Sequence, residues 1–207
     1  MNHSTLDPHS NLPPSRRPVR ALFVKRWGVL LEGTGPARGL AFDQALLTPG
    51  SVDALFRARQ AGWLIYLIGN EEEVAHGRVS EGAWTAFESA LVAHLGGHGA
   101  HVQRSYACLD HPEGQGSHRR RSVFHLPDTG IFFHAAQHDG VDLDQSWVIG
   151  DTTVDLSAGE RAGCRVAAVR TGRALGDGQL DVEPTLVGDR LDEVVDALAS
   201  ALRRMAG

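Results

Sequence analysis

The sequence is poor in cysteine, in long apolar runs and in surplus positive charge, and each shortage narrows what the protein can be. Two cysteines, Cys108 and Cys164, give no disulfide framework and suit a reducing compartment. No run approaches the roughly 20 apolar residues of a membrane span, so no membrane partner is expected. The N-terminus lacks the charged-then-apolar layout of a secretory signal, and a cytoplasmic location is the expectation. A formal charge of −5 argues against a nucleic-acid partner, which would call for a basic face. The one basic cluster, His118-Arg119-Arg120-Arg121, reads as a solvated loop.

What remains is an ordinary globular composition, 42% apolar and 22% charged over 207 residues, long enough to bury one core. Residues 1–18 are rich in Pro, Ser, Asn and His and read as a flexible tail. A single domain is expected over residues 19–207. The chain is organised around Val19 to Leu31. An apolar, β-branched first half has the pattern of a buried parallel strand, and it runs into Gly28. Pro49-Gly50-Ser51 then opens a helix that stops at Gly62. Trp63 to Ile68 is a second buried strand ending at Gly69-Asn70. A helix follows from Ser80, a good N-cap, to Leu95, and His101 to Ala107 is a third strand. Pro127-Asp128 predict another helix start, Trp147 to Ile149 a short strand and Cys164 to Val169 one more. Thr185 to Val187 read as an edge strand, and an amphipathic helix closes the chain. Alternating strands and helices predict an α/β fold, a parallel sheet with helices on both faces.

The order of motifs resembles the haloacid dehalogenase (HAD) superfamily of phosphohydrolases over roughly residues 20–175. Within it, the chain is most similar to the branch of heptose-bisphosphate and histidinol-phosphate phosphatases. That branch opens on Phe-Leu-Asp-Arg-Asp-Gly-Val-Ile, and the stretch here is Phe23-Val24-Lys25-Arg26-Trp27-Gly28-Val29-Leu30. The resemblance therefore puts Lys25 where the family has its nucleophilic, magnesium-binding Asp, and Trp27 where it has the general acid/base. The family's Thr-Asn-Gln-Ser segment corresponds to Gly69-Asn70-Glu71-Glu72, and its charge-neutralising Lys to Leu126. The Gly-Asp-x-x-x-Asp motif survives as Gly150-Asp151-Thr152-Thr153-Val154-Asp155. The family's zinc loop, Cys-x-His followed by Cys-x-Cys, is degenerate over residues 108–125. Only Cys108 falls in place, Asp110 takes the His position with His111 beside it, and Ser122 and Phe124 take the later pair.

The resemblance implies a Rossmannoid HAD-like fold without a large cap domain. It also implies a ligand site at Lys25, Gly69, Asn70, Glu71, Asp151 and Asp155. A protonated lysine offers donors and no acceptor, so it cannot attack phosphorus, and tryptophan has no titratable proton near neutral pH. Magnesium requires oxygen ligands and a structural zinc four converging N or S donors, so loss of both metals is expected. Asp151, and Cys108 with His111, are the donors left to either; an improvised zinc set of Cys108, His111, His118 and His125 is the alternative to the expected metal-free loop. The Lys25 ammonium is expected to stand in the magnesium position and pair with Asp151 and Asp155; more than about 6 Å between Lys25 and Asp151 would exclude this. Glu71 to Glu73 read either as carboxylates beside the pocket, repelling a phosphate dianion, or equally as a solvated turn. These substitutions predict a phosphatase-fold protein without phosphatase activity, acting through a protein partner, self-association or a small phosphorylated ligand. The alternative is a hydrolase of small phosphorylated metabolites, or an enzyme with new chemistry at Lys25 that uses His76, His111 or His125 as acid/base partners.

Overall fold

Five residues, Ala21–Lys25, form the central strand β1, with both faces of its apolar run covered. The computed structural model describes residues 19–36 and 40–206, so the tail expected at 1–18 lies outside the described residues. After β1 come α1 (Ser51–Gln60), β2 (Leu64–Asn70), the single turn α2 (Glu72–Ala75) and α3 (Glu81–Gly97). Then follow β3 (Val102–Cys108), α4 (Gly130–Asp139), β4 (Trp147–Gly150), α5 (Thr153–Arg161), β5 (Arg165–Val169), β6 (Leu186–Gly188) and α6 (Leu191–Ala206). The six strands lie in the order β3-β2-β1-β4-β5-β6, every neighbouring pair parallel. No further domain interrupts this sheet among the described residues. None of their helices is long and apolar enough to cross a membrane.

The period of two along the strands divides the core. Leu22 and Val24 of β1, with Ile65 and Leu67 of β2, pack against Leu55 of α1, Phe87 and Leu91 of α3 and Val194 of α6. Ala21 and Phe23, with Tyr66 and Ile68, pack against Phe132 of α4 and Leu156 of α5. This alternation matters at the end of β1, where Lys25 continues the α4/α5 side and Arg26 the α3 side.

Element starts follow local chemistry. Ser80 caps α3 by accepting from the Ala83 N–H at 3.2 Å, and Gly50, at φ +74°, leads into α1. One start differs from the expectation at Pro127-Asp128: α4 begins at Gly130. The preceding segment is held as a turn instead, with the Asp128 N–H bonded to the His125 carbonyl and both backbone groups of Leu126 taken by the Asn70 side chain.

Candidate functional site

The carboxyl ends of β1, β2 and β4 open onto a cavity of about 520 Å³, the place where open parallel sheets collect ligands. Lys25, Gly69, Asn70, Leu126, Thr152 and Asp155 line it, together with Trp27, Glu72, Glu73, His111 and His125.

At its floor, Lys25 Nζ lies 2.7 Å from Asp155 Oδ2 and 3.0 Å from Asp151 Oδ1, and donates to Thr152 Oγ1 at 3.3 Å. Both carboxylates are buried, while the lysine side chain keeps 17% exposure. Burial pulls the Lys25 pKa down, but Asp155 and Asp151 outweigh it and leave it raised, so the ammonium stays protonated. Asp155 is pushed up by its burial, against the pull of Lys25. The carboxylates are fixed by the backbone. Asp155 forms a capping box with Thr152 at the start of α5, and Asp151 Oδ2 accepts the Arg173 N–H at 2.7 Å. Gly28, at φ +86°, is required here, because a Cβ would come within 2.3 Å of Asp151.

A divalent cation does not fit these residues. The point between Asp151 and Asp155 is held by an ammonium at contact distance, and position 25 supplies no oxygen donor.

On the opposite face of the sheet the next residue builds a second ion network. Arg26, with no exposure, bonds to Glu71 Oε1 at 2.5 Å and to Ser105 Oγ at 2.6 Å. It also reaches Glu88 on α3 at 3.1 Å and lies over the Trp84 ring. Trp27 stacks on Phe87 at 5.6 Å and donates its indole N–H to Glu71 Oε2 at 3.2 Å. The expectation that Glu71 borders the ligand pocket is thus corrected. The Glu71 N–H bonds to the Cys108 carbonyl as the chain leaves β2, and the side chain turns into the core toward Arg26. Glu72 and Glu73 are the glutamates that face the cavity. Burial pushes Glu71 up to about 7, with the Arg26 guanidinium opposing. Gly69 serves this network as well, since a Cβ there would stand 3.0 Å from both the Arg26 and Glu71 side chains. Arg26 was not singled out in the sequence; the period of two, which sets it on the face of Leu22 and Val24, was the available signal.

Asn70 acts as a clamp, accepting the Leu126 N–H at 2.9 Å and donating to its carbonyl at 2.8 Å. Leu126 is buried against the α4 side of the core. In the degenerate loop Cys108 is buried, its thiol 3.5 Å from the Asp110 carbonyl and its pKa raised by burial. Asp110 pairs with Arg120 at 2.8 Å, so an ion pair ties the loop. Among the described residues Cys108 and His111, considered together as metal donors, do not fall in one set of three or more converging donors. Among the described residues the donors that converge are Glu72, His111 and His125, all within 4.8 Å of one another.

Comparison with known proteins places this geometry. A family model described as HAD-hydrolase-like matches residues 125–194. The chain is 30% identical over 158 residues to a D-glycero-beta-D-manno-heptose-1,7-bisphosphate 7-phosphatase of Haemophilus ducreyi, covering 75% of this chain and 86% of that protein. A Pseudomonas putida protein of the same name is 30% identical over 186 residues, covering 87% of this chain and 99% of its own. Among solved structures, the D,D-heptose 1,7-bisphosphate phosphatase of B. bronchiseptica, complexed with magnesium and phosphate, superposes with a TM-score of 0.72 at 26% identity. That match covers 87% of this chain and 99% of the other. The chain belongs to the HAD-like phosphatase family, with the heptose-bisphosphate phosphatases among its relatives.

Proposed function

We propose that this HAD-like chain does not hydrolyse phosphate esters through an aspartyl intermediate and acts instead by binding, with the Lys25 cavity as the binding site. The observation that carries the reading is the Lys25 ammonium lying within 3.0 Å of both Asp151 and Asp155. Aspartyl-phosphate chemistry needs a carboxylate nucleophile, an acid/base group and a cation against the transferred charge. Lys25, Trp27 and Leu126 occupy the three positions, and none of them supplies the required group. The fitting ligand is small and phosphorylated, with Lys25 as the charge partner. The two carboxylates leave the floor with a formal surplus of one negative charge, so the affinity expected from the floor alone is low.

A second reading is favoured by the names of the relatives, which are phosphatases of a sugar bisphosphate. On that reading the chain hydrolyses small phosphorylated metabolites by a route that does not use position 25 as nucleophile. Schiff-base chemistry at Lys25 is disfavoured, because the two carboxylates hold the amine in its protonated form.

The deciding experiment is turnover of a panel of sugar and amino-alcohol phosphates with magnesium, for wild type and Lys25→Ala. The expected result is no turnover in either. Wild-type turnover abolished by Lys25→Ala would overturn the proposal and make Lys25 a catalyst.

A further inference from the structure

We propose that Glu72, His111 and His125 form a binding site for a divalent transition metal of the zinc class, at the cavity of Lys25 but sharing no residue with the ion network on its floor. The three side chains come from three separate segments, the first turn of α2, the loop after β3 and the turn before α4. Their donor atoms nevertheless lie within 4.8 Å of one another. Tetrahedral ligands at zinc distances stand about 3.4 Å apart, so the set needs to close by no more than about 1.4 Å to share one ion. The His111 and His125 ring centroids are 5.2 Å apart, and those of His76 and His111 5.0 Å.

His125 Nε2 is the second observation: it is buried and has no hydrogen-bond partner. A buried polar atom without a partner calls for an explanation, and a metal on its lone pair supplies one. His111 is less prepared. Its Nδ1 accepts the Glu113 N–H at 3.1 Å, and a metal on Nε2 needs the proton on Nδ1, so loading gives up that exposed bond.

The backbone supporting the three ligands is fixed independently of any metal. The Gln115 N–H bonds to the Ala75 carbonyl at 2.7 Å and ties the His111 loop to the end of α2. Gly114 permits that approach, because a Cβ there would come within 2.6 Å of the His118 carbonyl oxygen and 3.0 Å of that of Ala75. Asn70 fixes Leu126, next to His125, on both its backbone groups.

Donor chemistry selects the ion. Two imidazoles and one carboxylate suit zinc and its neighbours, whereas magnesium and calcium prefer oxygen alone. Three protein ligands leave one tetrahedral position, and the cavity that all three line is where water or an anionic oxygen would complete it.

Zinc titration of the chelator-stripped full chain, by calorimetry and by metal analysis after dialysis, tests the site without any substrate. The result therefore does not depend on what happens to phosphate esters at Lys25. One zinc per chain is expected, with affinity falling at least about tenfold in His111→Ala, His125→Ala and Glu72→Gln. Glu72 is exposed, so Glu72→Gln keeps the test sound if a histidine variant fails to fold. Cys108→Ser should bind as wild type. Absence of stoichiometric zinc in wild type would overturn the proposal. So would binding that survives the three substitutions, or binding lost in Cys108→Ser.

Discussion

Lys25 and Arg26 are neighbours at the end of one strand, and each is a cation between two carboxylates, yet the two networks do different work. Lys25 spans Asp151 and Asp155 at the floor of an open cavity, with 17% of its side chain exposed. Arg26, itself without exposure, spans the buried Glu71 and the partly exposed Glu88 under α3, with Trp84 beneath its guanidinium and Ser105 on one nitrogen. The strand's alternation sends them to opposite faces. A fork of donors suits the dry side, where every lone pair must be matched. A point charge suits the wet side, where water can complete its shell. The comparison separates a network that holds the fold from one that occupies a site.

Arg26→Met breaks the buried network and carries the largest expected effect. It leaves Glu71 buried without its cation, a change that costs on the order of 3–5 kcal/mol, read as a lower denaturation midpoint. Lys25→Ala should cost less, about 2 kcal/mol, because water can enter the cavity and solvate Asp151 and Asp155. The same variant sharpens the comparison through magnesium. Without the ammonium, millimolar magnesium should raise the melting temperature of Lys25→Ala and leave wild type unchanged. Equal stabilisation of both would mean that Lys25 does not hold the cation position.

Trp27→Phe probes the buried side more gently. The Phe87 stack is kept, but Glu71 Oε2 loses its indole donor at 3.2 Å. A cost of about 1–2 kcal/mol is expected at pH 8, where Glu71 is charged. Burial raises Glu71 to about 7, so the lost bond should matter less at pH 5, where the carboxyl is protonated in the folded state. Chemical denaturation of both proteins at the two pH values checks this.

Much of the fold was legible because the apolar runs of β1, β2 and β4 are buried on both faces, and such runs need no tertiary information to be seen. The motif at Gly150 to Asp155 was legible through its match to the family's Gly-Asp-x-x-x-Asp, and the structure adds that Thr152 and Asp155 form the capping box of α5. The fate of Glu71 was not. Three consecutive glutamates look alike in sequence, and only the turn out of β2, with the Glu71 N–H on the Cys108 carbonyl, sends one inward and leaves two at the cavity. The start of α4 was misplaced because Pro127 is a common first residue of helices, whereas here Asn70, 56 residues away, holds Leu126 in a turn. His111 and His125 were legible as candidate donors, but their convergence with Glu72 depends on how three loops pack, which spacing along the chain does not encode.

A third cation–carboxylate pair, at the edge of the sheet, sets the scale for both networks and carries the smallest expected effect. Arg104 on β3 holds Asp139 at the end of α4 through two bonds of 2.8 and 2.9 Å, and Tyr66 donates to the same carboxylate at 2.9 Å. Arg104, then Tyr66 and Gln103, lower the Asp139 pKa from 3.8 to about 2, with burial opposing. Because the folded-state value is depressed, the contribution is complete above about pH 4 and is lost as pH falls toward 2. Arg104 is 41% exposed, so solvent screening keeps the gain small. Asp139→Asn should therefore lower stability only slightly at pH 6 and flatten the loss between pH 4 and 2. Added salt should shrink the difference, as it should not for Arg26→Met. A salt-insensitive loss at Asp139 as large as that at Arg26 would show that burial does not separate the networks.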